Sequence, residues 1–81
     1  MMISVTAKYF AVFREKTGKE SEVLSTSTRI AGDFFREVSV RHLFSDPMAH
    51  CKVAINDELA GWDSSISEGD VILFFPPVAG G

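Results

Sequence analysis

Apolar and polar residues alternate from Ile3 to Tyr9, with Ile3, Val5, Ala7 and Tyr9 on one side and Ser4, Thr6 and Lys8 on the other. A period of two marks a strand with one buried face. Phe10 shares the parity of the second set, so it belongs to the face turned away from the core. The run Arg14-Glu15-Lys16-Thr17-Gly18-Lys19-Glu20 is polar and contains a glycine. It reads as a solvated connection into a short second strand around Glu20 to Ser25. Ser25, Thr26, Ser27 and Thr28 then offer several helix N-caps. Beyond them Ile30, Phe34, Phe35, Val38 and His42 or Leu43 recur at helical spacing, which predicts one helix ending before Pro47. Gly32 lies inside this helix, where it costs about 1 kcal/mol relative to alanine.

Cys51, Val53 and Ile55 alternate with Lys52, Ala54 and Asn56, giving a third strand that runs into the turn residues Asn56-Asp57-Glu58. Leu59, Trp62 and Ile66 are apolar anchors in a polar connection, and Glu68-Gly69-Asp70 is a turn signal. Val71-Ile72-Leu73-Phe74-Phe75 is apolar on both faces, as in a strand at the middle of a sheet. Alternation sends one of Phe74 and Phe75 inward and the other outward, without deciding which. The order strand, strand, helix, strand, strand predicts an α+β domain over residues 1–75, a mixed ββαββ sheet with one helix packed on one face. The second face is open, and apolar side chains there call for a partner.

Length and charge narrow the picture. An 81-residue chain has room for one core and buries only roughly 60% of its unfolded surface. Its 46% hydrophobic and 23% charged residues fit a compact fold. A net charge of −3 with scattered basic residues gives no attraction for nucleic acid or anionic membrane surfaces. One cysteine, Cys51, makes no internal disulfide, which with the lack of a leader-like N-terminus fits a cytoplasmic setting. In its strand, Cys51 reads as a small buried apolar residue. His42 and His50 have no metal-ligand spacing, so no metal site is expected. The carboxylates Asp57, Glu58, Asp63, Glu68 and Asp70 read as turn chemistry.

The chemistry concentrates in the last six residues, Pro76-Pro77-Val78-Ala79-Gly80-Gly81. Adjacent prolines cannot continue a ladder, so the sheet stops there and residues 76–81 read as a flexible tail. Extended, it reaches at most about 20 Å, enough to enter another protein's cleft. Pro76 and Pro77 stiffen its root. Gly80 and Gly81 carry no side chain, so the terminal carboxylate passes through a channel too narrow for a Cβ. A carboxylate reacts with sulfur or amine nucleophiles only once activated, most simply as a mixed anhydride with a nucleotide. The chain has no phosphate loop and no Gly-x-Gly-x-x-Gly, so the activating enzyme is expected to be a separate, ATP-using protein and no cofactor is expected on this chain.

The segments Val53-Ala54-Ile55-Asn56, Gly69-Asp70 and Phe74-Phe75-Pro76-Pro77-Val78-Ala79-Gly80-Gly81, with a weaker Tyr9-Phe10-Ala11, Arg14-Glu15 and Gly18, occur in collinear order over nearly the whole chain. In these the chain resembles the small, sulfur-carrying subunits of molybdopterin synthase, members of the ubiquitin-like β-grasp group. The resemblance implies that Gly81 is adenylated by an E1-like enzyme and converted to a thiocarboxylate with sulfur from a donor protein. The tail of Pro76, Pro77, Val78, Ala79 and Gly80 would then enter the large synthase subunit and give its sulfur to cyclic pyranopterin monophosphate. Catalytic groups would belong to that large subunit, and this chain would act as a protein-borne substrate. The resemblance maps the partner interface onto Phe10, Leu59 and Phe75, which makes Phe75 the outward phenylalanine. Val71 follows Gly-Asp where many members have an acid, and residues 30–43 do not match.

Three other readings stay open at the sequence level. The sulfur could go to the thiamine thiazole or to tRNA, or the activated carboxylate could accept a lysine and make the chain a protein modifier. A plain interaction domain with an incidental tail is the third. Trp62 is either a partner anchor or a lid over the core.

Overall fold

The computed structural model describes residues 1–76. Its elements are β1 (Ile3–Tyr9), α1 (Val12–Thr17), β2 (Ser21–Thr26), α2 (Ala31–His42), β3 (Lys52–Ile55), β4 (Glu58–Ala60) and β5 (Val71–Phe75), with a 3-10 turn at Met48–His50. The strands form one sheet in the order β2-β1-β5-β3-β4. β1 is antiparallel to β2 and parallel to β5, while β3 is antiparallel to both β5 and β4. This is the mixed sheet of a β-grasp, with α2 as its one main helix.

Alternation decides which face is filled. Val5, Ala7 and Tyr9 of β1, Leu24 of β2, Val53 of β3 and Ile72 and Phe74 of β5 turn inward. They meet Ala31, Phe34, Phe35 and Val38 of α2. Phe74 is fully buried, with its ring 5.2 Å from Phe35 and 5.9 Å from Phe34. Trp62 packs at a tilt against Phe35, at 4.9 Å, and stacks on Phe74, at 6.3 Å, and its indole N–H donates to the Cys51 carbonyl. It is a lid on the core.

Gly32 is buried because the Trp62 loop lies against it. Its N–H donates to the Trp62 carbonyl at 2.8 Å, and a Cβ there would stand 3.1 Å from that same oxygen. The helix gives up propensity for this close approach.

Three expectations are corrected. The run from Arg14 to Glu20 is not wholly a turn: Val12–Thr17 forms α1, ended by Gly18 in the left-handed conformation. With Phe13 as its single buried residue, α1 is too short to show a helical period. None of the residues from Ser25 to Thr28 caps α2. Ile30 holds the N-cap position with no side-chain bond, and the N–H groups of Ala31 and Gly32 donate instead to the carbonyls of Ser64 and Trp62. That neighbouring loop satisfies the helix end in place of a capping side chain. Finally, the connection after β3 contains the extra strand β4, formed because Asn56 (φ +52°) and Asp57 (φ +70°) make a two-residue hairpin turn. β2 runs from Ser21 to Thr26, one residue later than expected.

Candidate functional site

The parity that buries one face exposes the other. Thr6↔Val71, Lys8↔Leu73, Ala54↔Leu73, Lys52↔Phe75 and Ala54↔Leu59 are direct partners across the ladders, so all of them share the face away from α2. Phe10 follows β1 onto the same face and packs on Phe75, ring centroids 5.7 Å apart. Phe10 is 48% exposed and Leu59 78% exposed. The three residues expected at an interface are thus brought to one face, with Phe74 inward and Phe75 outward. Leu73 completes the apolar centre, and Lys8 and Lys52 stand beside it.

This face leads directly into the tail. Phe75 ends the strand that is central to the sheet, and the half-buried Pro76 follows outside any ladder. Pro77, Val78, Ala79, Gly80 and Gly81, on which the tail chemistry was expected, lie outside the described residues.

The position of β5 is held by a polar clasp at its start. Asn56 Oδ1 accepts from the Val71 N–H at 2.9 Å, and Asn56 Nδ2 donates to Asp70 Oδ1 at 3.0 Å. Asp70 Oδ2 accepts from the Ser67 N–H, and the Asn56 N–H donates to the Val71 carbonyl. A slip of one residue here would send Phe75 inward and Phe74 outward. Asn56, Gly69 and Asp70 are therefore structural parts of the motif, with Gly69 supplying the positive φ of +83° that the turn requires. Glu68 accepts from the Ser4 N–H.

On the helix side, Glu22 joins β2 to β1 and α2. It accepts from the Tyr9 hydroxyl at 2.6 Å and from Lys19 at 3.3 Å, and lies 2.5 Å from His42 Nε2. Burial pushes the Glu22 carboxyl up, but bonds from Tyr9, His42 and Lys19 outweigh it and hold the group below the usual carboxylate range. Tyr9 is shifted upward, first by burial and then by Glu22. Burial, followed by Asp46, raises the Cys51 thiol. Cys51 is 2% exposed and its S–H points to the Pro47 carbonyl, so it is a structural thiol.

Sequence reading left out Lys8, Leu73 and Lys52 as site residues. Their parity was visible, but their adjacency depends on β1 and β3 flanking β5, which no local signal reveals. Among the described residues, no helix is long and apolar enough to cross a membrane.

The sequence profile of the ThiS family matches residues 7–81. A comparison with curated protein sequences finds no match. Among solved structures, a Pyrococcus furiosus protein assigned as molybdopterin converting factor, subunit 1, is 30% identical, with a TM-score of 0.76 over 94% of this chain and 99% of that one. SAMP1 of Haloferax volcanii, a small archaeal modifier protein, is 26% identical, with a TM-score of 0.77 over 96% and 99% of the two chains. The complex of subunits 1 and 2 of the molybdopterin-converting factor of Helicobacter pylori contains a chain of the same fold, 22% identical, with a TM-score of 0.64 over 98% and 100%.

Proposed function

Because the chain belongs to the ThiS family of ubiquitin-like sulfur carriers, we propose that its working group is the Gly81 carboxylate and that its pathway is molybdopterin synthesis. The carboxylate oxygen attacks the α-phosphorus of ATP on a separate E1-like enzyme, releasing pyrophosphate and leaving an acyl adenylate. Hydrosulfide released by a donor protein attacks the acyl carbon and displaces AMP, losing its proton to solvent, and leaves a thiocarboxylate. The tail from Pro76 to Gly81 then enters the large subunit of molybdopterin synthase and delivers sulfur to cyclic pyranopterin monophosphate. This chain contributes the carrier group and a docking face formed by Phe10, Leu59 and Phe75, and the partner contributes the catalysis.

The observation that carries this reading is a family match that runs through Gly80 and Gly81, directly after a strand whose outward face is apolar. Similarity to the Pyrococcus furiosus protein supports the molybdopterin branch. Similarity to SAMP1 supports a second reading, in which a target lysine displaces AMP and the chain becomes a protein modifier.

The test is intact mass after incubation with ATP, a sulfur source and the activating enzyme. The carrier reading expects a gain equal to one oxygen replaced by sulfur, located on Gly81. Deleting Gly81 abolishes that gain while unfolding stability stays within about 0.5 kcal/mol, since the core of the described residues ends at Phe74. No gain in the parent protein, together with covalent conjugates in cell extract, would favour the modifier reading instead.

A further inference from the structure

The open face has a charge pattern opposite to that of the molecule. The chain as a whole is acidic, at −3, yet the strand positions on this face carry no carboxylate: Ser4, Thr6 and Lys8 of β1, Ser21, Val23 and Ser25 of β2, Lys52 and Ala54 of β3, Leu59 of β4, and Val71, Leu73 and Phe75 of β5. The carboxylates on strands, Glu22 and Glu58, belong to the other parity, Glu58 pairing with the inward Ile55. Among the described residues, Lys8 and Lys52 therefore supply the only strand charges on the face. Among the described residues, neither makes an ion pair or a side-chain hydrogen bond, whereas Lys16 and Lys19 both have carboxylate partners.

The two lysines are placed on either side of β5. Lys8 lies beside Leu73 on one flank and Lys52 beside Phe75 on the other. Two strand spacings and a two-residue offset put their Cα atoms about 12 Å apart, with the Leu73 and Phe75 side chains between them. An apolar centre between two unpaired cations, at the root of the tail, is complementary to an apolar protein surface bordered by carboxylates.

We propose that Lys8 and Lys52 form an electrostatic clamp for an acid-rimmed apolar surface on the enzyme that activates the tail. The inference rests on the carrier reading of Gly81 and adds the chemistry of the docking surface. Paired rim charges steer encounter and fix orientation, so their effect falls on association and fades with salt.

The test uses the full chain and the ATP-dependent activating enzyme encoded in the same genome, following thiocarboxylate formation by intact mass against carrier concentration. Lys8→Glu/Lys52→Glu is expected to raise KM roughly tenfold or more at low ionic strength, leave kcat near its parent value and weaken the decline of kcat/KM with added salt. Arg36→Glu/Arg41→Glu, on exposed positions of α2, is the control and is expected to leave KM unchanged. Circular dichroism checks that each variant is folded. Lys8→Gln/Lys52→Gln, which removes charge without reversing it, should give an intermediate KM. An unchanged KM in the folded charge-reversed protein, or an equal rise in the α2 variant, would overturn the clamp and leave the carrier reading intact. Failure of the parent protein to gain sulfur would overturn the carrier reading and the clamp with it.

Discussion

At the residue scale, Glu22 shows how a side chain absent from any motif ties stability to pH. Its partners Tyr9 and His42 are 13 and 20 residues away in sequence, so nothing local announces the cluster. Folding lowers its proton affinity, so the unfolded chain binds that proton more tightly. Its contribution is present at neutral pH and is lost as pH falls through the folded-state value. Glu22→Gln should cost about 1.5–3 kcal/mol at neutral pH, the usual worth of hydrogen bonds to a charged acceptor. Urea unfolding of both proteins at a series of pH values checks this. The gap should close as the solution is acidified, and a gap that persists through the acid limb would assign the loss to packing instead.

At the scale of elements, strands with a clear period were legible and short elements were not. β1 and α2 show their periods over seven and twelve residues. β5 is recognised by apolarity on both faces. α1, with one buried side chain, and the three-residue β4 fall below the length at which a pattern can be read. The signal for β4 was present in Asn56-Asp57, a pair suited to positive φ at both hairpin positions. The N-terminus of α2 could not have been read locally, because its cap is the backbone of residues 62 and 64. Asn56 ties β3 to the start of β5, so Asn56→Ala should lose both its bond to Val71 and its tolerance of positive φ. A loss of about 1–3 kcal/mol in thermal or urea unfolding is expected. A neutral result would show that register rests on apolar parity alone.

For the whole molecule, the sheet is asymmetric by construction: α2 covers one face, and the other keeps Phe10, Leu59 and Phe75 accessible. The sequence placed Phe10 on the open side by parity. Choosing Phe75 over Phe74 came from resemblance, and packing against Phe34, Phe35 and Trp62 supplies its physical reason. On the molybdopterin reading, Phe75→Ala should weaken association with the large synthase subunit by about 2 kcal/mol, as loss of a central aromatic anchor does. Titration calorimetry with the purified large subunit measures it. An unchanged dissociation constant would remove Phe75 from the interface. The same substitution should cost less stability than one at Phe74, whose ring has no exposed surface.

The place of β5 between β1 and β3 also has a consequence for synthesis. The first strand acquires its parallel neighbour only when Val71–Phe75 has been made, and β3 acquires its inner neighbour at the same moment. Until then the β1–β2 and β3–β4 hairpins have no strand to join them. A nascent chain or a premature-stop product ending before Val71 therefore cannot close the sheet. Because every residue after Phe75 is made later than that last strand, a chain long enough to include them already holds all five strands of the sheet, so on the carrier reading the reactive end never exists without the face that docks it.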